Sequence, residues 1–170
     1  MNNSSTFFRA ELLDKINSFC VVNNLNTYFH LKYDKPIKST NPIKEFINKF
    51  IDYRYRKAIN KYNHKGFLKE DSISLNEVDN IFNSSKVVLD LNHRNRQGMT
   101  INCITALAKN KKLITTNNRI IEEEFYNPNN ILVIDENKPV LNIDFFKNEV
   151  TPIDIEHLRL DNWLKLILNR

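Results

Sequence analysis

The amino-acid sequence predicts an α/β fold, a mostly parallel sheet flanked by helices. Three observations carry this. From Lys86 onward, strand-like and helix-like segments alternate regularly; the strands are nearly continuous apolar runs; and short polar loops separate them. A sheet covered on one face alternates apolar with polar residues, whereas a continuous run marks a strand buried on both faces, as in parallel sheets. At 170 residues the chain is long enough to bury a core, and with no internal repeat or low-complexity linker a single domain over 1–170 is expected.

The elements follow in order. Ser4, Ser5 and Thr6 are candidate N-caps of a first helix, with Phe8, Leu12, Leu13, Ile16, Phe19 and Cys20 recurring behind them at helical spacing. TYFHLKY (Thr27 to Tyr33) is rich in β-branched and aromatic residues and reads as a strand. After a polar stretch with Pro36 and Pro42 comes the clearest helical pattern. Ile43, Phe46, Ile47, Phe50, Ile51, Tyr55, Ala58, Ile59 and Tyr62 form one apolar stripe over about five turns. GFLKE (Gly66 to Glu70) reads as a short strand, and Ser74 as the cap of a short helix with Val78 and Ile81 facing in. The alternation then runs strand KVVLDL, helix MTINCITALAKN, strand KKLITTN, helix RIIEEEF and strand NILVID. A helix over about 156–169, anchored by Trp163, closes the chain.

Ligands of open parallel sheets bind outside the carboxyl ends of the strands. The last three strands end there in polar groups: Asn92 and His93, then Thr115, Thr116 and Asn117, then Asp135 and Glu136. Gly98, one of only two glycines, stands where the first of these strands gives way to a helix, directly after Arg94, Arg96 and Gln97. A helix expected to start at this glycine would offer its first N–H groups, with two guanidiniums nearby, to an anion. The pattern points to a phosphorylated ligand. Asp90, inside an apolar strand, reads as a carboxylate held by neighbouring amides, and His93 as a loop hydrogen-bonding residue.

Other classes are disfavoured. No His, Cys, Asp or Glu grouping has metal-ligand spacing, so no metal is expected. Cys20 and Cys103 lie far apart in helical patterns and read as buried thiols of a reducing compartment; with no leader-like or membrane-spanning apolar run, a cytoplasmic location is expected. The net charge of +5 permits an anionic partner without demanding one. DYRYRKAINKYNHK mixes cations with tyrosines, but Tyr55 and Tyr62 belong to the apolar stripe. A solvated helix face ranks first for it, contact with anionic lipid at the inner face of the membrane second, and nucleic acid third. The run Glu122, Glu123, Glu124 reads as a solvated helix face.

The segment SKVVLDLNHRNRQGMTINCITALAKNKKLITTNNRIIEEEFYNPNNILVID (Ser85 to Asp135) resembles bacterial glycosyltransferase-like proteins of surface-polysaccharide and lipopolysaccharide biosynthesis. Their pattern is close to SKxVLDIxHPxQxGLTMRTIEALGxGKKLITTN followed by FYNPxNILVID. The best-matched core is 85–139, and KKLITTN and FYNPNNILVID are its most specific tracts. The resemblance implies a Rossmann-like domain, the nucleotide-sugar-binding half of a two-domain GT-B fold. It places the donor diphosphate at Gln97, Gly98, Met99 and Thr100, with Thr116 and Asn117 at the next strand end. A family acid that engages the donor ribose falls at Thr105, a family arginine at Asn102, and family glycines at Ala108 and Asn110. Arg94 and Arg96 are the candidates to supply the charge that Asn102 does not.

The resemblance further implies a nucleoside diphosphate sugar as ligand and no other cofactor. The acceptor-binding N-terminal domain is expected on a separate chain, or its place taken by a second copy, with no transfer by the isolated chain and no catalytic residue assignable. A degenerate, non-catalytic interaction module is the alternative, and a basic nucleic-acid-binding domain a weaker one. Finally, the family's first strand has no counterpart here, so Thr27–Tyr33 and Lys86–Leu91, its expected neighbours, are expected to pair directly.

Overall fold

The computed structural model describes residues 3–33, 53, 60–62, 65–92 and 98–168. The chain divides into two compact units, Met1–Ser74 and Leu75–Arg170. Both are mixed α/β, each with a small parallel sheet.

In the first unit, helix α1 spans Asn3–Val22 and buries Leu12, Leu13, Ile16 and Cys20 of the predicted stripe, with Phe8 and Phe19 half-buried and Ala10 buried beside them. It begins before Ser4, Ser5 and Thr6, so these lie inside the helix and the capping position falls at residue 2, outside the described residues. The helix ends on Asn24 in the left-handed region (φ 54°), where Leu25 N–H reaches back to Cys20 O at 2.8 Å. The predicted strands shrink to β1 (Leu31–Lys32) and β2 (Leu68–Lys69), paired in parallel with Leu31 beside Leu68. Gly66 at φ +77° turns the chain into Phe67, which is buried with its ring 6.3 Å from that of Tyr62. Tyr53 and residues 60–62 are helical; the rest of the predicted apolar stripe from Ile43 lies outside the described residues.

In the second unit, helix α2 (Leu75–Ser84) leads into a three-stranded parallel sheet: β3 (Val87–Asp90), β4 (Lys112–Thr115) and β5 (Ile131–Val133), in that spatial order. Val78 and Ile81 are half-buried on α2, as their spacing predicts, and the sheet register sets Val87 beside Lys112 and Leu113 beside Ile131. The central strand β4 is buried along its whole length. Helix α3 (Ile101–Ala108) makes the crossover from β3 to β4 and joins Val88, Leu113, Ile120, Phe125 and Ile131 in the core through Cys103, Ala106 and Leu107. It too ends in the left-handed region, at Asn110 (φ 51°).

Two segments depart from the sequence expectation. RIIEEEF forms a 3₁₀ turn over Asn118–Glu122, not an α-helix. The Asn117 side chain takes the Arg119 N–H, i→i+3 bonds close at Ile120 and Glu123, and buried Phe125 then draws the chain inward ahead of Pro128. Thr27–Tyr33 and Lys86–Leu91 do not pair, since β1 bonds to β2 in one sheet and β3 to β4 in the other. With Leu31 N–H already donating to Phe67 O and Tyr33 N–H to Lys69 O, β1 closes its ladder locally.

The chain ends with α4 (Ile143–Lys147), a 3₁₀ turn at Glu156–Leu158 and α5 (Leu160–Leu168). The last two together occupy the predicted C-terminal helix; the anchoring expected of Trp163 lies outside the described side chains. Lys112 is buried at the start of β4, with its ammonium donating to Phe145 O of α4 at 2.6 Å and lying 4.7 Å from the Phe145 ring. Burial lowers its pKa from the ordinary lysine value. Among the described residues, no helix is long and apolar enough to cross a membrane.

Candidate functional site

The carboxyl ends of β3 and β4 meet the start of α3. The capping residue of α3 is Thr100, in extended conformation, whose hydroxyl oxygen accepts from Cys103 N–H at 3.1 Å and whose carbonyl accepts from Ile104 N–H at 3.2 Å. The helix therefore starts at Ile101, after its cap, and not at Gly98 as the sequence suggested. A helix's first amides have no intrahelical acceptor; among the described residues, nothing accepts from the N–H of Ile101 or Asn102.

Asp90 holds this start in place. Its carboxylate, 5% exposed, accepts from the Thr100 hydroxyl at 2.7 Å and from the Thr115 hydroxyl at 3.4 Å. Hydroxyls from a cap and a neighbouring strand are thus among its donors. The hydroxyl of Thr100 points its proton at Asp90 and its lone pairs at Cys103 N–H, so one residue joins strand to helix. Thr115 does likewise along β4, its oxygen also accepting from Asn117 N–H at 3.1 Å. A second path closes the loop side: Asn92 N–H donates to the Thr116 hydroxyl at 2.9 Å, and the Asn92 side chain approaches Gly98 O at 3.5 Å.

The structure therefore brings Gly98, Thr100, Thr116 and Asn117 into one hydrogen-bonded edge, with Met99 half-buried against the core. Thr105 is half-buried further along α3 and has no hydrogen bond to this edge; Asn102 is exposed. His93, Arg94, Arg96 and Gln97 lie outside the described residues. Asp135 serves its own turn, accepting from Asn137 and Lys138 N–H at 2.8 Å each.

Of the two glycines, Gly66 answers a backbone need and Gly98 does not. Gly98 has no left-handed φ, and a Cβ there would meet nothing within 4 Å. The fold alone does not require glycine at this position.

Cys103 sits one turn into α3 and is 2% exposed. Burial first, then the charges of Asp90 and Glu123, push its thiol up to about 12. It is a packing residue, not a nucleophile. Among the described residues, no cluster of His, Cys, Asp or Glu could hold a metal ion. The edge thus offers hydroxyls, open amides and one buried carboxylate, chemistry suited to binding and orienting a polar ligand.

Sequence reasoning missed Asp90 as the organiser of this edge, although a carboxylate inside the run VVLDL, ten residues before a threonine that could cap a helix, was the available signal. Searches of family models, curated proteins and solved structures find no match to this chain.

Proposed function

We propose that the chain is a Rossmann-like, glycosyltransferase-related domain that binds a nucleoside diphosphate sugar at the carboxyl edge of β3 and β4, in surface-polysaccharide or lipopolysaccharide assembly. The observation that carries the reading is the start of α3. Its open N–H groups at Ile101 and Asn102, beside the uncrowded Gly98, can donate to phosphate oxygens, and the helix dipole favours negative charge there. Thr100 is pinned to Asp90, so these donors are positioned before the ligand arrives. The Asp90 charge opposes an anion at this place, and Arg94 and Arg96 are the residues assigned to offset it. Thr116 and Asn117 border the same edge from β4.

The role is donor binding; acceptor binding belongs to a further domain or chain, working at the inner face of the membrane. A non-catalytic binding module is the second reading. It is favoured by Thr105, a half-buried hydroxyl where the resembling proteins carry an acid for the ribose.

The test is titration with uridine or guanosine diphosphate, followed by amide resonances. Shifts concentrated at residues 98–102 are expected, and Gly98→Ala, which the fold tolerates, is expected to weaken binding about tenfold or more by placing a methyl in the ligand's path. Shifts spread over surface lysines, or unchanged binding in Gly98→Ala, would remove the support for the reading.

A further inference from the structure

We propose that the corner at the amino ends of β3 and β4, where Lys86, Lys109 and Lys111 gather, is the surface by which the second unit lies against an anionic lipid membrane, with the candidate ligand edge turned away from it. The inference deepens the reading above, which sets the work at the inner face of the membrane, and its test needs no nucleotide.

The fold brings the three lysines together from separate elements. Lys112 N–H donates to Lys86 O at 3.1 Å, and the register that sets Val87 beside Lys112 brings Lys86 next to Lys111. Val88 and Leu113, two residues further along each strand, join the core with α3, so strand alternation sends Lys86 and Lys111 toward the α3 face. Lys112 points to the opposite face, where α4 takes its ammonium. The far end of α3 delivers Lys109 to the same corner. Its ammonium donates to Asp79 Oδ1 and Asn83 Oδ1, each at 2.7 Å, while that of Lys111 donates to Asn83 O at 2.9 Å. Cations at the C-terminus of α2 account for Lys109 and Lys111. They do not account for Lys86, which is exposed, has no partner for its ammonium among the described residues, and sits beside another lysine where like charges cost stability.

Charge complementarity selects the partner. Three ammoniums meet one carboxylate, Asp79, at this corner. At the other end of the same strands the sign reverses: Glu122, Glu123, Glu124 and Asp135 are exposed there, offset in part by Arg119. Arg94 and Arg96, in the loop before α3, are assigned above to the ligand. An anionic surface attracts one end of the sheet and repels the other, which fixes the orientation. Four residues of strand, about 3.3 Å each, separate the corner from Thr116 and Asn117 by about 13 Å. That exceeds the Debye length of about 8 Å at physiological salt, so the surface potential would not repel an anionic ligand from the far edge. Nucleic acid fits less well. Among the described residues of the second unit no aromatic side chain is exposed, so bases would find nothing to stack on.

The experiment uses the full chain and sucrose-loaded vesicles of phosphatidylcholine, alone or mixed with phosphatidylglycerol. Co-sedimentation with the anionic vesicles is expected at low salt, with none on the neutral ones and release at about 0.5 M salt. Lys86→Glu, at an exposed side chain whose backbone bonds remain, is expected to weaken this binding about tenfold or more, and Lys86→Arg to keep it. A gadolinium-bearing headgroup lipid should broaden the amide resonances of Lys86 and Lys111 more than those of Thr116 and Asn117. No binding to anionic vesicles, equal binding to neutral ones, or binding unchanged in Lys86→Glu would overturn the proposal. So would broadening centred on Thr116 and Asn117, or on residues 54–65. An oligonucleotide bound more tightly than the vesicles, and released by Lys86→Glu, would overturn it in favour of nucleic acid. Vesicle binding that persists where uridine or guanosine diphosphate fails to bind would support this surface while removing the nucleotide reading alone.

Discussion

Asp90 is where the candidate site and the stability of the second unit meet, and its removal has a calculable cost. Asp90→Ala deletes the acceptor of the Thr100 hydroxyl at 2.7 Å and of the Thr115 hydroxyl at 3.4 Å, inside a residue 5% exposed. A hydrogen bond to a charged group contributes about 1.5–3 kcal/mol, and the longer contact contributes about 0.5 kcal/mol. The expected loss is therefore about 2–3.5 kcal/mol. Asp90→Asn keeps an acceptor for Thr100 but loses the charge, and is expected to cost about 1 kcal/mol. Thr100→Ala loses both this bond and the cap on Cys103 N–H, about 2.5–4 kcal/mol. Because the two residues share one bond, the double variant should cost about 1.5–3 kcal/mol less than the sum of the singles. Urea denaturation followed by circular dichroism and by labelling of the Cys103 thiol reads these values, with midpoint drops of about 1–2 M for Asp90→Ala. A loss below about 0.5 kcal/mol, or strict additivity with Thr100→Ala, would refute the reasoning that the carboxylate holds the start of α3.

Two further outcomes are expected. The Cys103 thiol is raised from 9.0 to about 12, so between these values the unfolded chain loses a proton that the folded protein keeps, and stability falls as pH rises. Between about pH 8 and pH 10 this group should remove about 1.4 kcal/mol, so the parent should lose about that much more stability over this range than Cys103→Ala when both are unfolded in urea. At Asn110, φ 51° places the residue in the left-handed region; Asn110→Gly should raise stability by about 0.5 kcal/mol and Asn110→Ala lower it by about 1 kcal/mol, readable as opposite shifts of the melting temperature.

The periodic features were legible in the sequence because they follow from residues close together in the chain. The apolar stripe of α1, the buried strands β3, β4 and β5, and the helix between β3 and β4 all stand where spacing places them. The capping of α3 was only half legible, since Gly98 drew attention to the right loop while the cap itself is Thr100. What tertiary structure decided were pairings between distant residues. Periodicity reports which face of an element is buried but carries no information about which strand lies alongside it. Hence β1 bonded to β2 and not to β3. For the same reason a buried ammonium at Lys112 found its acceptor on Phe145, and a strand carboxylate read only as a partner of neighbouring amides became the joint between a strand, its neighbour and a helix cap.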